Sequence, residues 1–153
     1  MSTLRSDLEM LDKALVSVRR FLEVPHVVDD DGRAIELSTL LILAGLPTEG
    51  QSIRDIATRL DVAPSTASRL VARAALSAVV TKSRGSADAR SALVTATEGG
   101  RQLAVRAAEY RVCRLDAALG GWSEDRIRTF ARSLDDFAKA HARGRAQRAQ
   151  GNI

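Results

Sequence analysis

Leu4, Leu8, Leu11, Leu15, Val18 and Leu22 stand at alternating steps of four and three along the start of the chain. That spacing predicts a helix with a narrow, coiled-coil-like seam, of the kind that packs against a partner chain. Pro25 and the acidic run 29–32 interrupt it. Asp29, Asp30 and Asp31 lack the ligand spacing and the closing glutamate of a calcium loop, so this stretch reads as a solvated connection. Residues 35–46 form a short, mostly apolar helix, closed by Pro47 and Gly50. Residues 52–60 form another. Ser52 is placed to cap it, with Asp55 three positions on, and Ile53, Ile56, Ala57 and Leu60 make its inward stripe.

After the three-residue turn 61–63, Pro64 suits a first helical position because the N–H it lacks would have no partner there. Ala67, Leu70, Val71 and Ala74 repeat toward the core, which leaves Ser65, Ser68, Arg69 and Arg73 on other faces. Two short helices joined by a tight turn form a helix-turn-helix pattern. Residues 78–83 are β-branched, 84–90 are a Gly/Ser/Asp turn with two arginines, and 91–96 read as a returning strand. A hairpin placed directly after a helix-turn-helix is a wing. From Thr97, a capping residue, a helix runs to about Leu119, with Leu103, Ala107, Tyr110 and Leu115 among its apolar residues. The sequence Gly-Gly-Trp ends that helix. Ser123 caps a last one with the stripe Ile127, Phe130, Leu134 and Phe137, followed by a polar, basic tail.

Composition narrows the picture. Aromatic residues make up only 3% of a chain that is 45% hydrophobic, so the core must be aliphatic, which suits packed helices. No apolar run spans a bilayer, and the charged N-terminus has no signal-peptide core, so no membrane association and a cytoplasmic location are expected. The single cysteine cannot form an internal disulfide, and with two histidines it cannot build a zinc site, so neither a metal nor a cofactor is expected. The net charge is +4, unevenly spread. Residues 54–114 hold 11 Lys/Arg against 5 Asp/Glu, residues 1–53 hold 5 against 9, and residues 115–153 hold 7 against 5. A basic middle section predicts a local surface for a polyanion.

The stretch 62–76 contains no acid. The small hydroxyls of Ser65, Thr66 and Ser68 would let a helix approach a major groove closely. Arg69 is long enough to reach a guanine edge or a phosphate. Base readout is assigned to Ser68 and Arg69, and a backbone contact to Arg73. The alternative for Ser65 and Thr66 is that they satisfy only their own helix N-terminus. Arg84 and Arg90 would place guanidinium groups on the wing, where they can enter a minor groove. Lys82 and Arg54 read equally as phosphate contacts or as solvated surface charges.

The residues 52–74, together with 86–103 (Asp88-x-Arg90, then Thr97-x-x-Gly100), resemble the MarR family of transcriptional regulators. The resemblance is close by motif over residues 35–104 and rests on helix pattern elsewhere. It implies a fold that is mainly α with a small β wing, a winged helix-turn-helix that dimerises through its N- and C-terminal helices. The layout would be 1–34 N-terminal dimerisation helix and loop, 35–96 DNA-binding domain, 97–142 C-terminal dimerisation helices, and 143–153 basic flexible tail. It implies a homodimer acting on double-stranded DNA with an imperfect palindrome, in the role of a repressor released by a small aromatic or phenolic effector. Asp88 would organise the wing by pairing with Arg90. The sequence departs from the family at Ala74 and Ala78, where leucine and glycine are usual, and at Gln51, where an apolar residue is usual.

A winged-helix module that binds protein is the competing reading, and the one-signed charge of Arg69, Arg73, Arg84 and Arg90 argues against it. No Ser/His/Asp set, metal cluster or phosphate-cradling loop points to an enzyme. Cys113 lies between Arg111 and Arg114 and reads either as a small core hydrophobe or as a reactive thiol. His26 reads as a solvent-facing histidine, or as a residue near an effector pocket. Trp122 and Phe130 read as helix packing.

Overall fold

A computed structural model describes residues 3–22, 34–84 and 92–150, with the side chains of Arg20, Leu22, Arg84 and 145–150 left aside. The chain divides into two compact units, Met1–Cys113 and Arg114–Ile153. In the first unit, α1 (Thr3–Val18) runs into a 3-10 turn, Arg19–Leu22. Then follow α2 (Leu37–Ala44), β1 (Gln51–Ser52), α3 (Ile53–Leu60), α4 (Pro64–Leu76), β2 (Val80–Arg84), β3 (Ala92–Ala96) and α5 (Glu98–Leu119), which continues past the unit boundary. The second unit contains α6 (Glu124–Gln150). Ser123 caps α6 by accepting the Arg126 N–H at 3.3 Å. The helix continues through residues 143–150, a stretch of Ala, Arg and Gln that favours helix, with a single glycine.

The core of the first unit is aliphatic. Ile42, Ile56, Val71, Val80, Val94 and Leu103 are its largest fully buried side chains. Each contributes about 1.5–3 kcal/mol by leaving water. The stripes expected of α3 and α4 point inward: Ile56, Ala57, Ala67, Val71 and Ala74 are buried, while Ile53, Leu60 and Leu70 pack at the margin. On α5, Leu103 and Ala107 are buried, Tyr110 is half-buried and Leu115 is exposed. The two wing strands pair antiparallel from Val80 opposite Ala96 to Arg84 opposite Ala92. A third strand, β1, pairs with β3 through Gln51–Val94 and Ser52–Leu93, giving the order β1-β3-β2. Two residues are too short to leave a periodic signal, so β1 was not legible in sequence.

Ser52 serves both strand and helix. Its Oγ accepts the Asp55 N–H at 3.1 Å and donates to the Asp55 carboxylate at 2.6 Å. This differs from a full capping box, in which the carboxylate would reach the Ser52 backbone N–H. Both helices of the helix-turn-helix end with a left-handed residue that is not glycine: Asp61 (φ 57°) and Ala78 (φ 56°). After α4, the Val79 N–H reaches the Ala74 carbonyl and the Ala78 N–H reaches the Ala75 carbonyl. That is a Schellman closure, normally completed by glycine. Leu76, 86% exposed, is the last helical residue, and the helix ends where the apolar stripe fails.

Among the described residues no helix is long and apolar enough to cross a membrane, and no group of three or more His, Cys, Asp or Glu could hold a metal.

Candidate nucleic-acid interface

The position of α4 is set at both ends. At its start, Ala63 provides no side-chain cap. The Thr66 and Ala67 N–H groups both donate to the Ala63 carbonyl, and Pro64 has no N–H. A helix N-terminus ordinarily leaves several backbone donors open. Among the described residues, the Ser65 N–H alone in this turn has no acceptor, because the tight first turn consumes the rest. At its end, α4 is latched to α5. The Thr97 N–H donates to the Val79 carbonyl at 3.0 Å and the Thr97 hydroxyl donates to the Ala78 carbonyl at 2.8 Å. The same hydroxyl accepts the Gly100 N–H at 3.0 Å. Gly100 is buried, and a Cβ there would overlap the Val79 carbonyl oxygen and lie 2.9 Å from its carbon. The Thr-x-x-Gly spacing is therefore a helix cap and a close backbone approach acting together.

The preceding helices are held by Arg59, which sequence reasoning missed. Its guanidinium donates to the Leu41 carbonyl at 2.9 Å and the Ile42 carbonyl at 3.2 Å, closing the C-terminal turn of α2, and to Gln51 Oε1 at 3.2 Å. Partial burial lowers its pKa. Gly45 leaves room for it: a Cβ at Gly45 would lie 2.7 Å from Arg59 Cζ. Gln51, out of place as a core residue, is in place as a partner of Arg59. A basic residue ending an amphipathic helix, with glycine and glutamine nearby, was the only available signal, and it is a common one.

On the outer face of α4, Ser65 and Arg69 are exposed, and Thr66 and Ser68 are half-buried. Arg69 Nη2 lies 3.5 Å from Thr66 Oγ1. The Ser65 and Ser68 hydroxyls have no partner among the described residues and Thr66 Oγ1 meets only Arg69, so neither Ser65 nor Thr66 caps its own helix. Thr66, Arg69, Leu70, Ala72 and Arg73 line an open depression of about 590 Å³. Arg73, expected free for a phosphate, is paired with Glu36 at 3.2 Å instead. Glu36 precedes α2 and also accepts the Ser38 hydroxyl at 3.2 Å.

Arg54 on α3 and Lys82 on β2 are exposed, with no side-chain partner among the described residues. Asp88 and Arg90 lie outside the described residues, as does the side chain of Arg84, and His26 lies outside them too. Across the wing strands the Thr81 and Thr95 hydroxyls meet at 3.0 Å. Cys113 is exposed on α5, which removes the core-hydrophobe reading. In the second unit Trp122 and Phe130 pack edge to face at 5.6 Å, and the Arg126 guanidinium lies 3.8 Å from the Trp122 ring centroid.

This order of helices around a three-stranded sheet recurs in solved structures. A MarR transcriptional regulator from Methanosarcina mazei superposes with a TM-score of 0.75 at 18% identity, covering 88% of this chain and 98% of that one. The chain has the MarR fold. BldR from Sulfolobus solfataricus, a transcriptional regulator, shares it with a TM-score of 0.71 at 19% identity, covering 92% of this chain and 99% of that one. A MarR-family regulator from Listeria monocytogenes, solved in complex with a 26mer DNA, shares it with a TM-score of 0.62 at 21% identity, covering 100% and 98%. No protein-family model and no curated protein sequence matches the chain. The expected mainly helical fold with a β wing is thus the fold observed, and Thr97 and Gly100 of the MarR-like motif form the α4–α5 latch.

Proposed function

We propose that the chain is a DNA-binding transcriptional regulator that lays α4 in a major groove. The observation that carries this reading is the outer face of α4. Ser65, Thr66, Ser68 and Arg69 lie together there on a helix without an acid, within a fold that a DNA-bound regulator shares. Small side chains permit close approach, and Arg69 supplies the long donor. Arg73, Arg54 and Lys82 are assigned to phosphates, and Arg84 and Arg90 to the wing contact, with Asp88 orienting Arg90.

The active species in this reading is a homodimer. Leu4, Leu8, Leu11, Leu15 and Val18 on α1, and Phe130, Leu134 and Phe137 on α6, are all at least 42% exposed. Seams of that size need a partner surface, and a second copy supplies one to each. Segments 1–34 and 97–142 would then serve dimerisation. Two-fold symmetry calls for an imperfect palindrome with half-sites about 10 base pairs apart. The role of repressor, and its release by a small aromatic or phenolic effector, rest on the resemblance to MarR regulators.

The test is selection of genomic DNA fragments by the purified protein, followed by binding to the recovered duplex across a salt series. Affinity should fall steeply with salt, because phosphate contacts release counterions. Arg69→Ala should cost about 1–3 kcal/mol and relax preference at one base pair. Salt-independent binding, or an Arg69→Ala variant that binds like wild type, would transfer the assignment to a protein-binding winged helix.

A further inference from the structure

We infer that Glu36 limits the affinity of this protein for DNA by occupying Arg73, an inference that rests on the DNA-binding reading above. Arg69 and Arg73 sit one turn apart on α4 and line the same open depression, yet their surroundings differ. Arg69 lies beside a neutral hydroxyl, Thr66 Oγ1. Arg73 Nη1 is 3.2 Å from both carboxylate oxygens of Glu36. The two side chains are 56% and 55% exposed, so water and ions reach the pair and a phosphate can compete for the guanidinium. Glu36 also places a negative charge beside a surface meant for a polyanion.

Nothing in the local fold requires that charge. Glu36 stands at the N-cap position of α2, but its side chain makes no cap bond. Its other side-chain bond, from the Ser38 hydroxyl, needs only an acceptor oxygen, which glutamine retains. Glu36→Gln therefore keeps the fold and the acceptor while removing the charge that holds Arg73. Exposed pairs are weak, so the carboxylate tunes phosphate binding and does not abolish it. Arg73 contributes to every duplex alike, so Glu36 sets sequence-independent affinity.

The experiment is a double-mutant cycle read by fluorescence anisotropy on a mixed-sequence 26-base-pair duplex at several KCl concentrations. Glu36→Gln should tighten binding roughly two- to five-fold per protomer, the range of an exposed ion pair. The slope of log affinity against log salt should steepen by about 0.9 for each phosphate gained. With Arg73→Ala already in place, Glu36→Gln should leave the salt slope unchanged and tighten binding clearly less, by only the direct repulsion between Glu36 and the duplex. Equal tightening in both backgrounds would mean that only overall charge matters and would overturn the inference. Unchanged or weaker binding by Glu36→Gln would overturn it as well, the weaker case making Glu36 a support for Arg73. Wild-type protein that shows no salt-dependent binding to any duplex would remove the DNA-binding reading, and this inference with it.

Discussion

Adding one methyl group at Gly100 should unlatch α5 from the end of α4. The new Cβ would overlap the Val79 carbonyl oxygen and stand 2.9 Å from its carbon, both backbone atoms that cannot rotate away. Relief requires the helix start to retreat by about an ångström, well inside the range over which hydrogen bonds weaken. That retreat stretches the 3.0 Å bond from Thr97 N–H to Val79 and the 2.8 Å bond from Thr97 Oγ to Ala78. Each is worth about 0.5–1.5 kcal/mol, and the carbonyl of the buried Val79, left unpaired, costs about 1–3 kcal/mol. Replacing a helical glycine by alanine returns about 0.5–1 kcal/mol. The net expectation is a loss of about 1–5.5 kcal/mol. For a domain of this size each kcal/mol lowers Tm by about 2–4 °C, so the shift is roughly 2–22 °C. The assay is urea and thermal unfolding followed by circular dichroism at one fixed protein concentration, since association would otherwise shift the midpoint. Gly144→Ala is the control: among the described residues nothing lies within 4 Å of the Cβ it would add inside α6, so it should be neutral or mildly stabilising. A Gly100→Ala protein as stable as Gly144→Ala would refute the latch.

Three further outcomes are expected. Ala78→Gly should stabilise by about 0.5–1 kcal/mol, because relieving the about 1–2 kcal/mol that the left-handed conformation costs alanine outweighs the about 0.4–1 kcal/mol lost to glycine's greater unfolded-chain entropy; a lower urea midpoint would refute the Schellman closure. Arg59→Lys should destabilise by about 1–3 kcal/mol despite keeping the charge, since one ammonium cannot span two carbonyls and Gln51 in the guanidinium's planar fork; equal unfolding midpoints would count against the clamp. Glu98 is held below the usual carboxylate range by hydrogen bonds from Arg101 and Gln102 and by the Arg101 charge. A lowered folded pKa stabilises above the unfolded value, and that contribution is lost as pH falls through the folded one. The stability gap between wild type and Glu98→Gln should therefore be present at neutral pH, shrink in acid and weaken with salt.

What could be read in the sequence was whatever repeats with the period of its element. The inward stripes of α3 and α4 were legible because several residues vote for one face. The wing strands were legible because β-branched residues cluster between turn formers. β1 offered two residues and no period. Arg59 was hidden because its acceptors are backbone carbonyls of another helix, which look the same in every sequence. Glu36 was hidden for a related reason: 37 residues separate it from Arg73, and only the packing of α2 against α4 brings them together. Ala78 marks the opposite case. The departure from glycine was visible in sequence, but the structure keeps the left-handed turn and places the alanine in it.

The latch at Thr97 sets the angle of α4 from its C-terminal end. Thirteen residues at 1.5 Å each make it about 20 Å long. It is fastened at Ala78 and Val79, while Ser65 and Thr66 lie at the far tip. A 10° tilt transmitted by α5 through Thr97 would sweep that tip by about 3.4 Å, the rise of one base-pair step. Because Ala67, Val71 and Ala74 are buried along the same helix, such a tilt would have to carry α3 and the core face with it, so the placement of Ser65 and Thr66 belongs to the packing of the whole first unit.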